Sequence, residues 1–133
     1  MNPHLFVYGS LMSTAGHPMG VRLARQARLV GQGSIAGRLY RISWYPGLVE
    51  SAEKDTRVQG EVYALNDPAQ VLKWLDAYEG MVPGDQAQNE YKRVERPVLL
   101  VSGGEISAWV YIYQGSVAGL EPIPDGQWVS AAS

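Results

Sequence analysis

The sequence predicts an α+β fold, with many strands, one clear helix and a weaker one. Three observations carry this expectation. Short apolar runs with strand propensity recur along the chain. One segment has clear helical periodicity and a second has a weaker one. Glycines interrupt the strand-like segments, which suits a strongly curved sheet or a small barrel.

The elements follow in order. Leu5-Phe6-Val7-Tyr8 is a short apolar run stopped by Gly9, the pattern of a strand buried on both faces. Residues 18–26 predict a short helix with Pro18 in its first turn. Ala27 to Ile42 reads as strand, interrupted by Gly31, Gly33 and Gly37. Trp44-Tyr45-Pro46-Gly47 reads as a turn or loop, and residues 58–65 as another strand. Asn66 or Asp67 can cap the clearest helix, with Pro68 as its first residue and Gly80 as its stop. Residues 81–90 form a polar loop. Strands near 91–101 and 105–114 make a hairpin around Ser102-Gly103-Gly104. The tail beyond Gly115 reads as irregular, with Trp128 able to tie it down. No repeat or linker divides residues 1–133, so one domain is expected.

Composition narrows the function classes. The chain has 133 residues, 46% of them hydrophobic, and a formal net charge of −2. Nothing in that balance favours nucleic acid or an anionic membrane surface. There are no cysteines, which removes disulfides, thiolate metal sites and a cysteine nucleophile. The N-terminus has no charged leader before a long apolar run, so a soluble cytoplasmic protein is expected. Only His4 and His17 could serve a serine triad or a metal site, and neither has a distinctive context. Gly103-Gly104 lacks the spacing of a phosphate-binding loop.

The helix carries an unusual carboxylate. Each residue turns about 100° around the axis. With Leu72 as zero, Leu75 falls at about 300°, Val71 at about 260° and Tyr78 at about 240°, and together they define an apolar stripe. Glu79 falls at about 340° on the same count, on the face that should meet the core. Burial disfavours its charged form, and so does the partial negative charge of the helix C-terminus. A raised carboxylate pKa is what a general acid/base needs near neutral pH. The structural alternative is a frayed last turn that sends Glu79 to solvent or to an arginine such as Arg93.

The loop Tyr8-Gly9-Ser10-Leu11 ends the first strand. Glycine there permits a sharp turn and close approach of a ligand to backbone N–H groups, which can cradle an anion. Ser10 adds a hydroxyl but does not stand in a nucleophile elbow. An ordinary tight turn is the simpler alternative.

Taken together, these segments resemble the γ-glutamyl cyclotransferase-like (AIG2-like) superfamily, in its bacterial branch. Phe6-Val7-Tyr8-Gly9-Ser10-Leu11 looks like its opening motif, and Leu75-Asp76-Ala77-Tyr78-Glu79-Gly80 like its Leu-Asp-x-x-Glu-Gly motif. Tyr91-Lys92-Arg93 resembles a Tyr-x-Arg that follows. Gly37-Arg38-Leu39-Tyr40 with Tyr45-Pro46-Gly47 resembles the middle segment. Trp109 to Tyr113 resembles a late strand, and Gly126-Gln127-Trp128 a Gly-x-Trp near the end. Met12 stands where many relatives carry Arg or Lys.

The resemblance implies a small β-barrel with flanking helices. It also implies a catalytic Glu79 and a substrate-binding segment Tyr8, Gly9, Ser10 and Leu11. The implied reaction releases 5-oxoproline and an amine from a small γ-glutamyl compound. It is an intramolecular aminolysis of acyltransferase or lyase type, needing no cofactor and no metal. Tyr91 and Trp128 are further candidates to line the pocket. The competing readings are a non-catalytic binding module on the same fold and an amide hydrolase using Glu79 as base for water.

Overall fold

The computed structural model describes residues 1–9, 11–13, 15–43, 45–51, 56–79 and 90–128. The elements are β1 (His4–Val7), α1 (Pro18–Gln26), β2 (Ala27–Ala36), β3 (Arg38–Arg41), β4 (Pro46–Val49) and β5 (Arg57–Leu65). They continue with α2 (Pro68–Tyr78), β6 (Tyr91–Leu100), β7 (Glu105–Tyr113) and β8 (Glu121–Ile123). Five strands close into a barrel in the order β1-β5-β2-β6-β7. Every seam is antiparallel except the closing one, where β1 meets β7 in parallel at Leu5 and Trp109. A second sheet has the order β4-β3-β8. The expected mixed barrel with flanking helices is the fold.

Side-chain alternation splits the core in two. Phe6 and Tyr8 of the first strand segment, Val58 and Val62 of β5, and Ala108, Val110 and Ile112 of β7 pack in one cluster, inside the barrel. Leu5, Val7, Tyr63, Leu65 and Tyr111 point the other way. They form a second cluster with Leu23 of α1 and Val71, Leu72 and Leu75 of α2. The first strand is thus buried on both faces, as its unbroken apolar run implied. Each fully buried leucine in this outer layer contributes about 1.5–3 kcal/mol to holding helix on barrel. Gly60 of β5 permits the tight packing at β1. A Cβ there would lie 2.2 Å from the Val7 carbonyl oxygen and 2.6 Å from Phe6 Cζ.

Helix α2 forms where its signals place it. Asp67 is the N-cap and accepts from the Gln70 N–H at 3.4 Å, and Pro68 occupies the first turn. The buried residues are Val71, Leu72 and Leu75, while Gln70 and Lys73 are exposed. Helix α1 matches its expected span, with His17 as N-cap accepting from the Met19 N–H at 3.1 Å. Neither helix is long and apolar enough to cross a membrane.

Three expectations require correction. The segment 27–42 is not one strand: it divides at Gly37, with β2 in the barrel and β3 in the second sheet. Pro46-Gly47 is not a turn but the start of β4, paired with β3 from Arg41↔Pro46 to Arg38↔Val49. Proline is compatible with the first residue of an edge strand, which needs no inward N–H. The tail is not wholly irregular, because β8 pairs with β3.

The expected Trp128 tether is present. Gly126 takes φ +65°, and its carbonyl accepts from the Gln59 N–H at 2.8 Å. Trp128 then packs into the barrel cluster, with the Arg41 guanidinium 4.7 Å from its ring centroid. The hairpin turn at Ser102-Gly103-Gly104 is also as expected, with positive φ at both glycines. Ser10, Trp44, Gly80, the loop segment 81–89 and residues 129–133 lie outside the described residues.

Candidate active site

The last turn of α2 and the ends of β1, β6 and β7 enclose a cavity of about 190 Å³. Tyr8, Gly9 and Leu11 form one side. Tyr78 and Glu79 come from the helix end, Tyr91 and Tyr111 from the barrel wall, and Tyr45, Pro46 and Glu90 complete the lining. Two distant segments singled out from the sequence, 8–11 and Glu79, therefore meet at one cavity. Within the first segment this holds for Tyr8, Gly9 and Leu11.

Glu79 is the C-cap of α2, with its N–H bonded to the Leu75 carbonyl at 2.9 Å. Its carboxyl is pushed up to about 8, first by burial, then by the negative charges of Glu90 and Asp76. Burial was expected from the helical angle. The two neighbouring carboxylates were not.

Arg93 does not pair with Glu79. Its Nε and Nη2 grip the two oxygens of Asp76 at 2.8 and 3.1 Å, and its guanidinium lies 4.5 Å from the Trp109 ring centroid. Tyr111 donates its hydroxyl to the same Asp76 at 2.7 Å. The alternation of β6 and β7 explains this. Tyr91 and Arg93 are two residues apart and share a face, and their cross-strand partners are Tyr113 and Tyr111.

The tyrosines act as scaffolding with neutral phenols. Tyr8 donates to the Tyr111 carbonyl at 2.6 Å and accepts from the Leu48 N–H at 3.2 Å. Burial, and then the charge of Glu79, raise its phenol above the ordinary range. Its hydroxyl is thus committed to the backbone, and Tyr8 offers the cavity its ring. Tyr91, which does line the cavity as anticipated, donates to the Pro46 carbonyl at 2.7 Å, and burial raises its phenol too. Tyr45 donates to Glu90, and burial together with that bond pushes its phenol up to about 12. Trp128 is not part of the lining: it packs in the core cluster that joins barrel residues to Leu39 and Leu48 of the second sheet. Met12 packs against the core rather than lining the cavity.

One residue near the site gave no sequence signal. Glu61 on β5 is 6% exposed. Its two oxygens accept from the Ser13 N–H at 2.7 Å and the Ser13 hydroxyl at 2.6 Å. It therefore fastens the loop that follows β1. Asp76 did carry a signal, since positions 76 and 79 are three apart on one helix.

Barrel, cavity and carboxylate together define the class. The family described as gamma-glutamyl cyclotransferase, AIG2-like, matches residues 5–130, and the chain belongs to it. The gamma-glutamylcyclotransferase family protein YtfP of Escherichia coli K12 is 34% identical over 126 residues, covering 94% of this chain and 95% of that one. The solution structure of E. coli ytfP superposes with a TM-score of 0.64 at 35% identity, over 98% of this chain and 99% of the other. Two more distant structures share the fold. An AIG2-like protein of Mus musculus gives a TM-score of 0.72 at 22% identity, covering 97% and 89%. YkqA of Bacillus subtilis gives 0.71 at 24% identity, covering 96% of this chain but 40% of that longer one.

Proposed function

We propose that the protein is a γ-glutamyl cyclotransferase that releases 5-oxoproline and an amine from a small γ-glutamyl compound, with Glu79 as its general acid/base. The observation that carries this reading is a carboxyl with its pKa raised to about 8 in the wall of a cavity shared with the 8–11 segment.

The chemistry needs two protons moved from the attacking nitrogen to the leaving one. The α-ammonium of the substrate loses one proton to the Glu79 carboxylate, and the freed amine attacks the γ-carbonyl carbon. As the bond from that carbon to the leaving nitrogen breaks, Glu79 delivers its proton to that nitrogen, and the second proton of the ring nitrogen passes to the released amine, which leaves as an ammonium. The α-ammonium of a γ-glutamyl compound stands beside a free carboxylate and holds its proton more tightly than a chain N-terminus. Raising Glu79 to about 8 narrows the gap that the proton must cross. An unperturbed glutamate would be a far weaker base for it.

The nucleophile belongs to the substrate, so the protein's main task is to hold the substrate folded for attack. None of the described lining residues is a lysine or arginine. We assign the α-carboxylate to backbone N–H groups of the segment Gly9-Ser10-Leu11, where a glycine allows close approach. The ring of Tyr8 and the side chain of Leu11 would bound the carbon chain.

The test is a panel of γ-glutamyl dipeptides and amines with mass detection of 5-oxoproline, run on the wild type and Glu79→Gln. The wild type should turn over at least one member, and Glu79→Gln should lose activity by at least about 100-fold while remaining folded. Full activity in the folded variant would overturn the role of Glu79. Free glutamate in place of 5-oxoproline would identify an amide hydrolase. Binding without turnover, unaffected by Glu79→Gln, would identify a binding module.

A further inference from the structure

We propose that Asp76, Arg93 and Tyr111 form a positioning network that fixes the end of α2 on the barrel and sets the pH range in which Glu79 works. This rests on Glu79 being the acid/base. Asp76 lies one helical turn before Glu79, so whatever holds Asp76 also holds the peptide that aims Glu79.

Three contacts hold it. Arg93 on β6 grips both carboxylate oxygens, Tyr111 on β7 donates to one of them, and the Trp109 ring supports the guanidinium. A two-pronged arginine contact fixes orientation as well as charge. Tyr111 also carries the carbonyl that accepts from Tyr8. One residue thus links the helix end, through its side chain, to the segment opposite, through its backbone.

The charges around Glu79 make the network electrostatic as well as mechanical. On its own helix stand Asp76 and Tyr78. From the β6 side come Glu90, Tyr91 and Arg93, from β7 Tyr111, from the end of β1 Tyr8, and before β4 Tyr45. His17, at the start of α1, packs on the Tyr78 ring at 5.7 Å. The carboxylates Asp76 and Glu90 both oppose ionisation of Glu79. Arg93 is the cation that offsets Asp76. Asp76 acts on Glu79 even with Arg93 in place, and losing either member changes the net charge beside Glu79.

The two members should therefore act in opposite directions. Asp76→Asn removes a negative neighbour and should lower the Glu79 midpoint by about one pH unit. Arg93→Gln leaves Asp76 uncompensated and should raise it, by less than Asp76→Asn lowers it. Arg93→Lys keeps the charge and should restore most of the wild-type midpoint while losing the two-pronged hold. Tyr111→Phe removes one donor and almost no volume, and should raise the midpoint by less than Arg93→Gln.

The experiment is NMR titration of the Glu79 side-chain carboxyl in the full chain, paired with the pH dependence of kcat/KM on whichever γ-glutamyl compound is turned over. The acid limb should move with the carboxyl midpoint, to lower pH in Asp76→Asn, while the plateau of kcat/KM falls because the two-pronged hold on the helix end is lost. A common direction of shift in Asp76→Asn and Arg93→Gln, as simple loosening would produce, overturns the proposal. So does an unchanged midpoint in both. If either variant fails to fold, Tyr111→Phe and Arg93→Lys decide it. An unmoved midpoint in Tyr111→Phe, or one moved further by Arg93→Lys than by Tyr111→Phe, overturns it. The titration needs no turnover, so an inactive wild type would defeat the cyclotransferase reading and leave the network's own result standing.

Discussion

Glu61 and Glu79 are both carboxylates drawn out of bulk solvent, and the chain uses them in opposite ways. Glu61 is almost fully buried, and each of its oxygens is committed to Ser13. Glu79 stands in a cavity wall beside two other carboxylates, and the nearby arginine is held by Asp76. A buried carboxylate with both oxygens satisfied is a fastener. A carboxylate facing an open cavity, with its charged form disfavoured, is available to chemistry. Withdrawal from solvent therefore says little about role until the partners of each oxygen are known.

That contrast can be broken or sharpened by experiment. The largest effect belongs to activity: Glu79→Gln should abolish 5-oxoproline release yet leave the chemical denaturation midpoint at or above that of the wild type. Glu61→Ala should do the reverse in stability, destabilising by about 3 kcal/mol because two donors on Ser13 lose a charged acceptor. Chemical denaturation reads this, and a loss below about 0.5 kcal/mol would show that Glu61 fastens nothing.

A third effect is a slope rather than a loss. The unfolded chain releases the Glu79 proton near 4.5, the folded chain at about 8. Between those values the folded form holds the extra proton, so raising the pH favours unfolding. Stability should fall through this window, by at most about 1.4 kcal/mol per pH unit, and Glu79→Gln should remove the slope. The smallest effect is Ser13→Ala, which deletes one of the two bonds to Glu61 and should destabilise by about 1 kcal/mol. If it matched Glu61→Ala, the backbone bond would be contributing nothing.

The second comparison, between Asp76 and Glu79, explains how much of the site was legible. The angle of Glu79 on its helix followed from spacing alone, because a helix converts sequence separation into direction with little freedom. The apolar stripe beneath it was legible for the same reason. Which carboxylate Arg93 would choose was not. Asp76 and Glu79 lie on the same end of the helix, and only the register of β6 against β7 brings Arg93 and Tyr111 to the first and not the second. Glu61 was silent because an alternating strand segment gives no sign of what a loop, distant in sequence, will do above it.

The sequence by itself determined the two helices, the apolar runs of the barrel strands, the hairpin at Gly103-Gly104 and the face of Glu79. Each of these depends on periods and local backbone preferences that span a few residues. Only the tertiary structure decided that β3 leaves the barrel, that Pro46 opens a strand, that Trp128 joins the core and not the cavity, and that Tyr8, Gly9 and Leu11 meet Glu79 at one cavity. Those outcomes depend on pairing and packing between distant segments, where the energy of a contact depends on what the rest of the chain has brought alongside.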